Sequence, residues 1–66
     1  PDRVRLVVYD LLGRSVRTLL EGSLAPVHEV IWDGRSDAGV RLPAGVYLLR
    51  LEAGRKVQSR TITLLR

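Results

Sequence analysis

The chain has 66 residues, a net charge of +4, no cysteine and a single histidine, His28. So short a chain holds one domain and buries only about 60% of the surface its unfolded form exposes, with neither a disulfide framework nor a Cys/His metal site to reinforce it. No run of about 18 apolar residues is present, which excludes a membrane-crossing helix, and the start at Pro1 and not Met gives the expectation of one domain, residues 1–66, that is a fragment or processed product of a larger protein, the missing signal peptide saying nothing of export.

Val4 to Tyr9 (VRLVVY) alternates Val4, Leu6 and Val8 with Arg5, Val7 and Tyr9, which predicts a strand with one buried face. Asp10-Leu11-Leu12-Gly13 follows, with Asp at the first position of a type I turn and Gly closing it. Arg14 to Glu21 is predicted as the second strand. Its Val16, Leu19 and Leu20, with Leu24 beyond them, also suit one helical face, but Gly22 interrupts that helix and no cap precedes it. Gly22 to Pro26 is predicted as a loop. Val27 to Asp33 (VHEVIWD) is predicted as a third strand, with Val30 and Trp32 on one face.

Asp33 to Gly45 is rich in Gly, Pro and Asp, which is turn chemistry. Its last four residues, Leu42-Pro43-Ala44-Gly45, carry a second type I pattern. Val46 to Glu52 is predicted as a strand with Tyr47, Leu49 and Leu51 in phase. A tight turn over Glu52 to Arg55 leads to the last strand, Lys56 to Leu65. Five strands and no helix predict an all-β sandwich or small barrel.

The distinctive residues suit the building of such a fold. Gly13, Gly39, Gly45 and Gly54 stand where strands reverse and positive φ is expected. Asp10 and Asp33 suit Asx turns. Trp32 offers the largest apolar surface in the chain, and Tyr47 can bury its ring while its hydroxyl reaches a backbone partner.

The chemical alternatives are thin. Asp33 and Asp37 hint at a calcium loop, but Arg35 stands where a ligand is needed. His28 has no second metal ligand nearby. Asp10, Asp33 and Asp37 have little room for a cleft. None of Ser15, Ser23, Ser36 and Ser59 sits in a Gly-x-Ser-x-Gly elbow. A sugar-stacking role for Trp32 lacks companion aromatics, since only Tyr9 and Tyr47 accompany it.

Ten arginines accompany one lysine. Arg3, Arg5, Arg14, Arg17, Arg50 and Arg60 alternate with apolar residues, which predicts a solvent face beside Glu21 and Glu52. No basic run exceeds Arg55-Lys56, so nucleic acid is not an expected partner. The expectation is a non-catalytic domain with no cofactor, no metal and no membrane insertion.

Three stretches together, VYDLLGRSVRTLLEG (Val8 to Gly22), WDGRSDAGVRLPAGVYLLRLEAG (Trp32 to Gly54) and RTITLLR (Arg60 to Arg66), carry a resemblance. The set resembles the immunoglobulin-like domain of flagellar hook-capping proteins. It is also similar to the C-terminal sorting domains of the type IX secretion system. The resemblance implies a small immunoglobulin-like antiparallel β-sandwich of five to seven strands, secreted or held at the surface of a bacterium. Its first functional implication is a C-terminal domain, residues 1–66, that sorts or anchors a larger exported protein, with the domains of the parent protein and an outer-membrane translocon as partners. On that likeness Pro43, Gly45 and Tyr47 match a PxGxY box. Gly54 with Arg60 matches a Gly-x5-Lys box in which Arg replaces Lys, and Arg66 closes the tail. The alternative implication is a structural domain of a hook-cap-like extracellular scaffold that packs against neighbouring domains or subunits.

Overall fold

The computed structural model describes residues 3–23 and 30–66. Four strands form one antiparallel sheet: β1 (Arg3–Tyr9), β2 (Ser15–Ser23), β3 (Gly45–Ala53) and β4 (Lys56–Leu64). Their order is β2-β1-β3-β4, so β1 and β3 are inner strands and β2 and β4 are edges. No helix occurs among the described residues. The arrangement fits the all-β class that the alternating apolar pattern predicts and the small immunoglobulin-like class that the resemblance implies.

The register sorts the side chains onto two faces. Val4, Leu6 and Val8 of β1 lie across from Ala53, Leu51 and Leu49 of β3. Tyr47 and Arg17 share that face, as does Ile62 opposite Tyr47. Val8 is 0% exposed and Tyr47 7% exposed, which puts the core here. Val7 points to the other face and is also buried, at 2% exposure. The expectation of a single buried face on β1 is therefore corrected: Val7 stands on an inner strand, flanked on its own face by Thr18 of β2 and Arg50 of β3.

The two bulges on β2 follow from the register. Leu6 pairs with Leu20 but Val7 with Thr18, and Val8 pairs with Arg17 but Tyr9 with Ser15. Leu19 and Val16 are the extra residues, and each added residue twists the edge strand locally. β2 also runs through Gly22 and Ser23, which sequence alone assigns to a loop. The β3–β4 hairpin turns on Gly54-Arg55, between the paired Ala53 and Lys56. Gly54 has φ +61° and Arg55 stays at negative φ, the signs of a type II′ turn, whose twist matches the flanking strands.

The third predicted strand is not borne out where it can be followed. Val27 to Glu29, with His28, lie outside the described residues. Val30 to Asp33 have no strand partner. Val30 is exposed and Trp32 half-buried, so the two do not share one covered face. The physical reason is local. The Trp32 indole N–H donates to the Arg35 carbonyl at 3.0 Å, and Asp33 Oδ1 accepts the Arg35 N–H at 3.0 Å. These bonds curl the chain where a strand needs it extended. Residues 30–44 form a folded loop with one short pairing, Arg35 with Arg41, and a turn in which the Gly39 N–H meets the Ser36 carbonyl at 2.9 Å. This loop lies over the Tyr47 face of the sheet.

Candidate functional site

The end of the sheet where β3 begins gathers most of the distinctive residues. Tyr47 enters the core two residues after Gly45, and its hydroxyl donates to the Pro43 carbonyl at 2.6 Å. The Trp32 ring meets the Tyr47 ring edge-on, with centroids 5.3 Å apart. That geometry sets a ring edge against a π face and adds about 0.5–1.5 kcal/mol beyond area burial. Arg66 completes the cluster from the far end of the chain. Its Nε donates to the Leu42 carbonyl at 3.1 Å and its Nη2 to the Gly34 carbonyl at 2.6 Å. No backbone bond closes the predicted Leu42–Gly45 type I turn; Gly45 instead opens β3 opposite Leu64, and the Leu42 carbonyl accepts from Arg66.

Arg17 ties the loop to β2. Its Nη1 lies 3.2 Å from Asp33 Oδ1 and 3.1 Å from the Arg35 carbonyl. The Thr18 N–H donates to Asp37 Oδ1 at 2.9 Å, and the Asp37 N–H to the Val16 carbonyl at 3.0 Å. The expected solvent position of Arg17 is corrected accordingly: the side chain is largely covered, since it shares the face on which the loop lies. Arg50 is half-buried, while Arg3, Arg5, Arg14 and Arg60 are exposed as expected. Arg5 pairs with Glu21 at 3.1 Å and Arg50 with Glu52 at 3.0 Å.

Asp10 builds the first turn. Its Oδ1 accepts the Leu12 N–H at 2.9 Å and the Arg14 N–H at 3.0 Å, and Oδ2 accepts Arg14 Nε at 2.8 Å. The Gly13 N–H closes the turn on the Asp10 carbonyl at 3.0 Å. The Arg14 N–H holds the Asp10 carboxyl below its ordinary range, against a smaller desolvation effect; the Arg14 side chain and the Leu12 N–H add to the lowering. Beside this turn lies an open hollow of about 420 Å3, lined by Asp10, Arg14, Val16, Pro43 and Tyr47 among others. Its polar groups already serve the turn and the bend.

The predicted residues thus fall into two groups. Pro43, Gly45, Tyr47, Trp32, Asp33 and Arg66 come together around the loop, with Asp10 and Gly13 at the neighbouring turn. Gly39 lies in the loop's own turn and has positive φ, as do Gly13, Gly45 and Gly54. Gly54 and Arg60 stand apart. Gly54 is at the opposite end of the β3–β4 hairpin, and Arg60 is exposed in mid-β4 opposite Leu49. Asp33 and Asp37 both serve as acceptors for protein N–H groups, and no cluster of metal-ligating side chains occurs among the described residues. Sequence reasoning missed Arg17, Gly34 and Ser36 as loop anchors. Nothing in the RSVRTLLE stretch marked Arg17 in advance, because its place opposite Val8 follows from the register across two bulges.

The family model described as FlgD Ig-like domain matches residues 1–56 of this chain. The chain is 42% identical over 53 residues to the basal-body rod modification protein FlgD of Salmonella typhimurium, and equally to that of Salmonella typhi. The similarity covers 79% of this chain and 23% of each relative, so the chain spans less than a quarter of the length of those relatives. No solved structure matches the chain.

Proposed function

Because this chain belongs to the FlgD Ig-like domain family, we propose that it is a non-catalytic structural domain of a flagellar hook-related scaffold. It packs against neighbouring domains or subunits of an exported bacterial assembly and carries out no reaction. The family match is the observation that carries this. The local chemistry supports it: Asp10, Asp33, Asp37, Glu21 and Glu52 each face an arginine or a backbone N–H within the domain. A scaffold module uses such pairs to hold its shape.

The sorting reading has less behind it. Its residues do not meet in one place, since Gly54 and Arg60 lie away from Pro43, Gly45 and Tyr47. The matched range also stops at Lys56, before Arg60 and Arg66. In-frame removal of residues 1–66 from the protein that carries them tests the proposal in its host. The expected result is continued export of the remainder with loss of hook assembly and motility. Normal assembly overturns the proposal. Loss of export on removing Gly54 to Arg66 alone puts the sorting reading in its place.

A further inference from the structure

The two edges of the sheet are finished differently. The β2 edge carries two bulges and is engaged by the loop through the Thr18–Asp37 and Asp37–Val16 bonds. Those are the usual means of blocking further strand addition. Among the described residues the β4 edge has neither. Its pairing with β3 runs without a register shift from Ala53 and Lys56 to Gly45 and Leu64.

The two-residue turn makes Ala53 and Lys56 a hydrogen-bonded pair, and such pairs alternate along an antiparallel ladder. Gln58, Arg60 and Ile62 therefore bond to β3. Val57, Ser59, Thr61 and Thr63 turn their backbone N–H and C=O groups outward, and none of these four bonds to another part of the backbone among the described residues. All four are β-branched or small side chains, and neither Pro nor Gly interrupts β4.

Charge narrows what this edge accepts. Residues 53–66 hold Arg55, Lys56, Arg60 and Arg66 and no acidic residue. Arg66 is engaged by the Leu42 and Gly34 carbonyls. The ion pairs among the described residues do not include Arg55, Lys56 or Arg60. Lys56 and Arg60 stand four residues apart on one face of β4. We propose that the outer edge of β4 docks an extended acidic segment of a partner protein as a fifth strand. The outward groups of Val57, Ser59, Thr61 and Thr63 supply the ladder, and carboxylates opposite Lys56 and Arg60 set the register. A second copy of this chain fits poorly, because two β4 edges bring two Lys56 and two Arg60 onto one face with no acid between them.

The inference rests on the scaffold reading only for the existence of a partner. The test titrates the full 66-residue chain with a synthetic peptide alternating Val and Thr, with two glutamates four positions apart. Amide exchange is expected to slow at Val57, Ser59, Thr61 and Thr63 and to stay unchanged at Gln58, Arg60 and Ile62. The same peptide with Lys for Glu is expected to bind about tenfold more weakly. Thr61→Pro removes an outward donor and is expected to abolish the protection while the sheet remains, since an edge strand tolerates Pro there. Should that variant unfold, the Lys56→Glu/Arg60→Glu double variant decides, because it must reverse the preference between the two peptides. Equal binding of the two peptides, protection mapped elsewhere, or pairing of β4 with a second copy overturns the proposal. Motility after domain removal bears on the scaffold alone, and the peptide titration bears on the edge alone.

Discussion

The Arg66 guanidinium donates to the Gly34 carbonyl at 2.6 Å across a separation of 32 residues. The last residue of the chain thus holds the loop that covers the sheet. Gly34 is buried, and its φ of +77° is a conformation that side chains with a Cβ rarely adopt. A Cβ placed there lies 2.6 Å from Arg66 Nη2 and 3.1 Å from Leu64 Cδ1.

Gly34→Ala is therefore expected to lower stability by about 1–3 kcal/mol, through backbone strain and displacement of Arg66. Arg66→Ala is expected to cost about 1–2 kcal/mol from lost hydrogen bonds. Combined, the two should fall short of additivity, because removing Arg66 frees the space that the new methyl needs. Thermal unfolding of both single variants and the double variant measures this, and strict additivity would refute the coupling.

Tyr47→Phe keeps the ring against Trp32 and removes the bond to Pro43. The expected loss is about 0.5–1.5 kcal/mol, or roughly 4–8 °C in melting temperature per kcal/mol for a domain of this size. Tyr47→Ala is expected to cost about 3–5 kcal/mol, because it also empties the core. Similar melting points for the Phe and Ala variants would show that the ring is not the anchor described above.

Arg17→Ala is expected to loosen the loop more than it unfolds the sheet. It removes the donor shared by Asp33 and the Arg35 carbonyl. The Thr18–Asp37 and Asp37–Val16 bonds then hold that seam without it. Limited proteolysis should cut faster within residues 33–41, and Arg17→Lys should rescue only in part, since an ammonium cannot reproduce the guanidinium fork. Unchanged cleavage in the Ala variant would exclude Arg17 as the tie.

Asp10 gives a pH dependence with a defined sign. Its carboxyl titrates below the ordinary range in the folded chain. Its contribution is fully present above the unfolded value and is lost as pH falls through the lower folded value. The amide resonances of Leu12 and Arg14 should titrate together over that acid limb, and Asp10→Asn should abolish the shared transition. Persistence of the transition in the Asn variant would assign it to another group.

The turns were the most legible part of the sequence. Asp10 and Gly13 act over three or four residues, so their spacing already specifies the bonds they make. Gly54 is similar, because a two-residue reversal between β-forming stretches admits few backbone conformations. Tyr47 was legible as a buried ring with a backbone-bound hydroxyl, since Pro43 lies four residues before it. Val27 to Asp33 was harder. Its β-branched residues favour a strand, yet Trp32 and Asp33 bond to Arg35 and curl Val30 to Asp33 away from pairing. Propensity lost there to side-chain bonds that alternation does not encode.

By itself the sequence determined an all-β chain, the four strands β1 to β4 in their order, the turns at Asp10–Gly13 and Gly54–Arg55, and the FlgD-like set of motifs that runs through them. Alternation and turn chemistry act over a few residues, and nothing distant is needed to read them. Tertiary structure alone decided that β1 pairs with both β2 and β3, which buries Val7 as well as Val8. It alone turned Arg17 from an expected surface residue into a loop anchor and brought Arg66 to Gly34. Period-two patterning says which side chains share a face but not which strand lies beside them. That choice rests on contacts between residues far apart in the chain, and it is what leaves β4 as an edge strand among the described residues.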